Sequence, residues 1–496
     1  MTTKLKNVES ILASAEENGV TVIKGHETEL GQISDTFKQQ KSAYSLNHFP
    51  EYETRIATLQ NLYEMIDSHS LEICEALNAD FGCRSESESM LTDVVGSLSS
   101  IRYLIRNLRR FMRPQSKRTS IWYLPGKNKV EAVPLGVVGV MSPWNYPVHL
   151  MIAPVAAAIA AGNRVMAKMS ELTPNTTALI QRLVAERFED KLFSIVTGGI
   201  EVSAEFSSLP FDHLMFTGST KVGKKIALAA ARNLTPVTLE LSGKSPVVIC
   251  NSYDIEEASQ RIIWGKAFNA GQTCVAPDYV FVPEDKLIEF VRYSRKYLTQ
   301  FYPDSIDTEN YTSVINNDHF QRITDLIKDA EKNGVEVIAL GEKKECGHKL
   351  PVSLVINPTK DCKIYKEEVF GPLLSVFTYK SIDEVIEQIS HSEDPLAMYI
   401  FSHYDAEVKY IYRSVRAAGI SVNDTLLHYL QNDLPFGGRG NSGNGKCHGR
   451  EGFETFSHLL PIFKQRGVGN FTGLKLLYPP YGKLSKVMGS LIHRMP

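Results

Sequence analysis

The sequence is poor in cysteine. Its 496 residues contain seven, and no two of them form a CxxC pair. A disulfide scaffold or a structural zinc site brings its cysteines close together in sequence, and an HExxH motif is also absent. We therefore predict no metal site and reduced thiols, which together with the lack of an apolar export signal at the N-terminus favours the cytoplasm. The seven are Cys74, Cys83, Cys250, Cys274, Cys346, Cys362 and Cys447.

An excess of charge of either sign is also missing. The 54 basic and 56 acidic residues leave a net charge of −2, which argues against a dedicated nucleic-acid binder. Nine basic residues and no acidic one lie between Arg102 and Lys129. They form either an anion-binding surface or, as we favour, one solvated helix face followed by a charged edge hairpin. The 43% of hydrophobic residues suffices for two or three domains with cores of their own.

Long uninterrupted apolar runs are absent too. The stretch from Ala132 to Asn163 has no Asp, Glu, Lys or Arg, but four prolines interrupt it, and lipid cannot solvate the carbonyls that they leave free. The C-terminal segment carries basic residues throughout. We therefore predict no membrane span, and we interpret the uncharged stretch as a strand, a loop and a helix inside the protein.

Strands and helices alternate through the middle of the chain. After a helical region of about 110 residues and a hairpin predicted over 120–133, four apolar runs predict strands, and alanine- or leucine-rich segments between them predict helices. This order is typical of an α/β protein with a parallel sheet that binds its ligand beyond the carboxyl ends of the strands. The predicted strands are 135–141, 164–168, 192–198 and 212–218, and the helices are 151–161, 176–188 and 221–231.

Three motifs suit a dinucleotide, although each also has a plain structural explanation. In the turn FTGSTKVG, Gly218, Ser219 and Gly223 open a helix whose free N–H groups attract a pyrophosphate. Such turns are common, however, and this one is not a GxGxxG fingerprint. Lys168 and Glu171 follow a strand where ribose hydroxyls usually lie, or form a surface ion pair. In KEEVFGP, Glu368 and Phe370 point the same way, so that one can hold a ribose and the other a flat ring.

Three further residues suit covalent chemistry. Cys274 lies in the polar loop NAGQTCVAP, although a buried inert thiol is the default for any single cysteine. Glu240 stands in an apolar strand, where desolvation raises a carboxyl pKa toward the range of a general base. Asn145 lies between two prolines in PWNYP, where its amide either donates to an oxyanion or caps a turn. A thiol and a separate carboxylate fit a thioester mechanism better than a Cys-His protease.

Taken together, seven ordered motifs resemble the aldehyde dehydrogenase superfamily over roughly residues 35 to 480. APDYV, NSGNGKCHGREGFETFSH and LLYPPYGKL are similar to its class-three branch, and within it to bacterial coniferyl aldehyde dehydrogenases. The seven motifs are PWNYP, AAGNRVMAKMSE, FTGSTKVGK, LTPVTLELSGKSP, WGKAFNAGQTCVAPDYV, EEVFGP and LPFGGRGNSG.

The resemblance implies an aldehyde dehydrogenase fold with a Rossmann-like NAD(P)-binding domain (1–114 and 136–239), an α/β catalytic domain (240–430) and oligomerisation segments (115–135 and 453–496). It implies oxidation of an aldehyde to the acid by a homodimer using NAD or NADP. In the roles it implies, Cys274 is the nucleophile, Glu240 activates water, and Asn145 with the Cys274 N–H holds the oxyanion; Lys168 and Glu171 bind the adenine-side ribose, Gly218 and Ser219 the pyrophosphate, Glu368 the nicotinamide ribose and Phe370 the ring.

Two positions depart from the family pattern. Met169 stands where proline is usual and should loosen the ribose loop, and Ser242 stands where glycine is usual and adds a hydroxyl beside Glu240. The substrate pocket is expected to include Tyr146, Trp264 and Phe436, whose rings suit an aryl aldehyde such as coniferyl aldehyde or a medium- or long-chain one. The alternatives are a CoA-acylating enzyme, which has no need of a base such as Glu240, and a non-catalytic protein that kept the fold.

Overall fold

The computed structural model describes residues 27–303, 305–342, 347–465 and 478–494, so Cys346, the N-terminal segment and part of the C-terminal one lie outside the described residues. The helices are α1 (Leu30–Leu46), α2 (Tyr52–Ser68), α3 (Ser70–Phe81), α4 (Glu86–Ser89), α5 (Gly96–Met112), α6 (His149–Ala160), α7 (Pro174–Arg187), α8 (Ile200–Ser208), α9 (Thr220–Ala231), α10 (Ile255–Ala267), α11 (Leu287–Phe301), α12 (Asn317–Lys332), α13 (Lys363–Lys366), α14 (Ile382–Ser390), α15 (Asp405–Ser414), α16 (Gly449–Thr455) and α17 (Lys483–Arg494). The strands are β1 (Gln115–Lys117), β2 (Lys127–Pro134), β3 (Val137–Met141), β4 (Arg164–Lys168), β5 (Phe193–Val196), β6 (His213–Gly218), β7 (Val237–Leu241), β8 (Ser245–Ile249), β9 (Pro277–Pro283), β10 (Val337–Ala339), β11 (Ser353–Ile356), β12 (Leu373–Tyr379), β13 (Ala397–Phe401), β14 (Gly419–Val422), β15 (Gly443–Asn444) and β16 (Ser457–Lys464).

The first sheet has the order β15-β7-β6-β3-β4-β5, and only the short β15 runs antiparallel to its neighbour. Every residue of β3 is buried, as its continuous apolar run predicts for a sheet covered on both faces. The predicted strands and helices of this region are confirmed, with boundaries that differ by at most two residues. The chain continues from β3 to β4 on one side and later returns to β6 on the other, which opens a crevice at the carboxyl edge between β3 and β6.

The second sheet has the order β10-β11-β12-β9-β8-β13-β14 and is parallel except for its edge strand β10. The strands β8, β9 and β13 are fully buried, and α10 and α11 pack on the cluster that includes Ile262, Phe290 and Tyr399. The two sheets confirm the predicted α/β fold class, with one open parallel sheet in each half of the chain.

The third sheet, β1-β2-β16, corrects one prediction. The segment 120–124, expected as the first strand of the hairpin, is instead a short 3-10 turn over Ile121–Tyr123. Strand β2 already pairs with β1 on one edge and β16 on the other, so it offers no free edge to this apolar segment. Leu124 therefore stays 53% exposed.

The basic segment lies mainly on a solvated face, as favoured above. Helix α5 buries Leu98, Ile101, Leu104 and Leu108 against the core, while its arginines point outward. Along the described parts of the chain, no helix combines the length and the apolar character that a bilayer crossing requires.

Candidate active site

A cavity of about 240 Å³ lies at the crevice of the first sheet. Its wall takes Asn145 from the loop after β3, Gly218 and Ser219 from the end of β6, and Glu240 from β7. The opposite wall takes Cys274, Glu368 and Phe370, which precede β9 and β12 of the second sheet. The carboxyl ends of one sheet thus face the amino ends of strands in the other, and most of the predicted site residues meet there.

The loop before Cys274 is tightly built. Asn269 and Ala270 have φ of 48° and 50°, in the left-handed region that non-glycine residues rarely adopt. Gly271 also has a positive φ, and a Cβ there would lie 2.3 Å from the carbonyl oxygen of Gly371. The loop therefore packs directly on the segment that carries Glu368 and Phe370, and this close approach fixes Cys274 at the cavity wall.

Burial raises the pKa of the Cys274 thiol to about 12, with the carboxylates of Glu368 and Glu240 adding to the effect. Without a bound nucleotide the sulfur is therefore a neutral thiol at pH 7. Alkylation by iodoacetamide should consequently speed up about tenfold per pH unit from pH 7 to 10 with no plateau, because only the thiolate reacts.

Peptide mass spectrometry after timed quenching measures this rate at Cys274 alone. The partly accessible thiol of Cys83, alkylated in the same sample, is the internal comparison. A plateau for Cys274 below pH 9 would show that its thiol ionises much more easily than its surroundings indicate.

Glu240 is 5% exposed, and neither of its carboxylate oxygens has a hydrogen-bond partner of regular geometry in the described chain. Burial raises its pKa well above the usual range, as its apolar strand predicts. The Cys447 thiol and the Gly438 N–H face the carboxylate and lower the pKa by a smaller amount. A carboxylate so poorly solvated is a strong acceptor for a proton from water.

Asn145 is 2% exposed, and its side chain lines the same cavity as Cys274. One of its amide protons goes from Nδ2 to the carbonyl oxygen of Gln272, at 3.1 Å. An amide has two such protons, so one remains for a ligand. Its position beside the thiol suits a donor to an oxyanion formed on a carbon attached to sulfur.

A second cavity, of about 350 Å³, reaches Cys274 from another direction. Tyr146 and Trp264 line it as predicted, but the Tyr146 hydroxyl is bound to Thr273 Oγ1 at 2.6 Å, so this residue offers mainly its ring. Phe436, the third predicted pocket residue, lines the first cavity instead, where it stacks on His448. Cys274 therefore belongs to the walls of both cavities.

The turn after β6 fits a pyrophosphate. Ser219 lines the first cavity and caps α9 by accepting a hydrogen bond from the Val222 N–H, so the N-terminus of this helix begins at the cavity wall. Gly218 lines the cavity, whereas Gly223 serves packing, because a Cβ there would lie 2.5 Å from Leu241 Cδ2. The short approach of α9 to β7 therefore requires this glycine.

Two more carboxylates suit ribose hydroxyls. Lys168 Nζ, buried at the end of β4, pairs with the half-exposed Glu171 at 3.0 Å. Burial raises the pKa of Glu368 to about 7, and Phe370 packs edge-on against Trp144 at 5.4 Å. Ser219 at the start of α9, Glu368 and Phe370 line the first cavity and fit a dinucleotide, whereas Lys168 and Glu171 are not among the residues that line it.

The two positions that depart from the family pattern lie in different surroundings. The Met169 side chain is fully buried in the core under α6 and α7, where it packs rather than leaving an opening. The Ser242 hydroxyl, expected beside Glu240, bonds Glu368 and lowers the pKa of that carboxyl. Strand β7 ends at Leu241 and β8 of the second sheet begins at Ser245, so Ser242 lies in the segment that joins the two sheets.

Several site residues escaped the sequence analysis. Arg322 donates to the backbone oxygens of Glu368 and Val369 and so supports that loop. His149, Tyr429 and His448 line the second cavity beside Cys274. His149 begins α6, and Tyr429 and His448 lie in the 420–448 region. The sequence motifs drew attention only to the neighbourhood of His149, through PWNYP, and to His448, through the segment that contains CHG.

The fold and the site are those of a nucleotide-dependent oxidoreductase. The aldehyde dehydrogenase family profile matches residues 2–460, and the chain belongs to this family. It is thus an aldehyde dehydrogenase, which oxidises an aldehyde with NAD or NADP.

Individual relatives support this assignment. The chain is 39% identical over 464 residues to a probable coniferyl aldehyde dehydrogenase of Pseudomonas aeruginosa, covering 94% of this chain and 97% of the relative. It is 34% identical over 452 residues to a dimeric NADP-preferring aldehyde dehydrogenase of Canis lupus familiaris, covering 91% and 98%. The solved structure of substrate-bound Staphylococcus aureus AldH superposes with a TM-score of 0.88 at 35% identity, covering 93% of this chain and 99% of that one.

Proposed function

We propose that Cys274 is the nucleophile of aldehyde oxidation, with Asn145 as oxyanion donor and Glu240 as general base. The observation that carries this proposal is the position of Cys274 in the walls of both cavities. The first cavity is lined by residues suited to a nucleotide, such as Ser219 and Glu368, and the second is lined mainly by apolar side chains. A thiol between them can hold a substrate carbon next to a bound nucleotide.

The chemistry follows from these positions. The Cys274 thiol loses its proton to water as Sγ attacks the aldehyde carbon. The C=O electron pair moves to the oxygen, which becomes an oxyanion that Asn145 Nδ2 and the Cys274 N–H stabilise. A nicotinamide nucleotide held by Gly218, Ser219 and Glu368 would supply the oxidant: it would accept a hydride from this carbon, and a thioester on Cys274 would remain. Glu240 then takes a proton from water, the water oxygen adds to the thioester carbon, and the carboxylic acid leaves as the C–S bond breaks.

The nucleotide sites are assigned from the same geometry. Lys168 and Glu171 suit the adenine-side ribose, and Gly218 and Ser219 suit the pyrophosphate. Glu368 is suited to the second ribose, with Phe370 beside the ring. We place this cofactor domain on the first sheet and its helices, and the catalytic domain on the second sheet.

The substrate is proposed to be an aryl aldehyde of the coniferyl type, with medium- and long-chain aliphatic aldehydes as the second candidate. The relative from Pseudomonas aeruginosa is a probable coniferyl aldehyde dehydrogenase. Trp264 and Tyr146 give the second cavity flat apolar walls, and His149 adds a polar edge that suits a ring substituent.

A panel of aldehydes tested with NAD and with NADP decides between these substrates. We expect coniferyl aldehyde to give a higher kcat/KM than octanal, measured as absorbance of the reduced nucleotide. Analysis of the product distinguishes the acyl acceptor. Free acid without added CoA supports Glu240 as the water-activating base, whereas a requirement for CoA would refute it.

We also propose a cytoplasmic homodimer. Leu459, Leu460 and Phe463 on β16 and Ile121 beside the hairpin are at least 37% exposed, so the third sheet offers an apolar edge to a second copy. The relative from Canis lupus familiaris is dimeric. Light scattering on the purified protein should give twice the 55.4 kDa chain mass, and a monomer at micromolar concentration would refute this.

A further inference from the structure

A buried ion pair lies behind the active site. Arg84, between α3 and α4, donates from Nη2 to Asp93 Oδ2 at 2.8 Å, and both side chains are 0% exposed. Asp93 lies in the π-helical turn Met90–Val95 that precedes α5. Burying two charges costs several kcal/mol of desolvation, and such pairs usually contribute little net stability. The role of Arg84 and Asp93 therefore depends on the other groups to which they are hydrogen-bonded.

The Arg84–Asp93 pair is hydrogen-bonded to both ends of the loop that carries Asn145. Arg84 Nη1 donates to the backbone carbonyl oxygen of Asn145 at 2.8 Å. Asp93 Oδ1 accepts from the N–H groups of Val148 and His149, at 3.0 and 3.1 Å, where α6 begins. One ion pair thus spans the whole segment from Asn145 to His149.

This segment in turn touches the residues before the thiol. The Arg84 guanidinium lies 5.2 Å from the ring centre of Tyr146, whose hydroxyl is bound to Thr273. The side chain of Asn145 donates to Gln272 O. A shift of the loop would therefore move the oxyanion donor relative to Cys274.

We propose that Arg84, held by Asp93, is the positioning residue of the oxyanion hole. The planar guanidinium suits this task because it presents parallel donors in a rigid fork, one for the carboxylate and one for the Asn145 carbonyl. The inference rests on the proposed function of Asn145.

A matched control contacts the same helix, α6. Arg55 is also buried, and its guanidinium donates to Pro50 O at 2.9 Å and to Ala160 O at 3.0 Å, at the far end of α6. Arg55→Met removes a buried guanidinium that is bonded to the C-terminal end of α6, and it leaves the contacts of the 145–149 loop unchanged. A merely structural role for Arg84 would make the two arginines equivalent.

The test combines Arg84→Met with Asp93→Asn, so that no unpaired charge stays buried and the new amide oxygen can still accept from the N–H groups of α6. We expect the rate of the first-turnover burst of reduced nucleotide to fall at least about tenfold, because a small misplacement of a catalytic group can cost up to about 100-fold. The Kd for NAD should stay within about twofold, since the nucleotide groups are untouched. Arg84→Lys, which keeps the charge, should recover part of the rate.

Comparison with Asn145→Ala separates the possible failures. If the inference holds, Asn145→Ala slows the burst, and adding the Arg84→Met and Asp93→Asn changes slows it little further. A burst within twofold of wild type in the Arg84→Met, Asp93→Asn protein overturns the inference, as does an equal loss in Arg55→Met. An unchanged burst in Asn145→Ala overturns the proposed function of Asn145 instead. Should the double variant fail to fold, Arg84→Lys against Arg55→Lys makes the same comparison.

Discussion

Aldehyde oxidation should fall by at least about 10⁴-fold when Cys274 is replaced by alanine, because no covalent intermediate can then form. Binding of NAD should stay nearly intact, since Gly218 and Ser219 lie on the other wall of the first cavity. Steady-state absorbance at 340 nm measures the first effect, and titration calorimetry with NAD measures the second.

The control for this variant is Cys83→Ala. The Cys83 sulfur lies near backbone oxygens of residues 308–311, away from both cavities, and its loss should leave turnover unchanged. If the Cys274→Ala protein retained a tenth of wild-type turnover, the assignment of the nucleophile would be wrong.

Replacing Glu240 by glutamine should stop the reaction after oxidation. The first-turnover burst persists, while steady turnover falls by about 10²- to 10⁴-fold because the thioester has lost the base that activates water. Acyl-enzyme then accumulates and appears in the intact-protein mass as an addition to Cys274. Steady turnover with no adduct would contradict the proposed base.

The same residue sets a pH dependence. Burial raises the pKa of Glu240 well above its usual range, and only the ionised carboxylate can accept a proton. Steady turnover of the wild type should therefore rise with pH as Glu240 ionises, and fall as pH drops through that raised pKa. The rise should be missing in Glu240→Gln, and Glu186→Gln, on the exposed face of α7, should keep it.

Local pattern predicted the parts of the molecule that local sequence determines. Continuous apolar runs marked β3 and β4, and a lone acid within such a run marked the buried Glu240. The segment 120–124 is rich in residues that favour strands. Both edges of β2 are nevertheless occupied by β1 and β16, which lie outside this segment. No spacing within the segment could reveal that.

The direction of a side chain after a strand was equally hidden. Ser242 is two residues from Glu240, but it bonds Glu368, more than 120 residues away, because the two sheets meet there. The link from Arg84 to Asn145 spans 61 residues and joins a turn between helices to a loop of the sheet. Such contacts depend on how whole helices and strands pack together, which composition and residue spacing do not predict.

Since Cys274 forms part of the partition between two cavities, residues that line one cavity can change without altering those that line only the other. Substitutions around Trp264 that admit a bulkier aldehyde leave the turn after β6 intact. The preference among aldehydes and the preference between NAD and NADP can therefore change independently, by selection or by engineering.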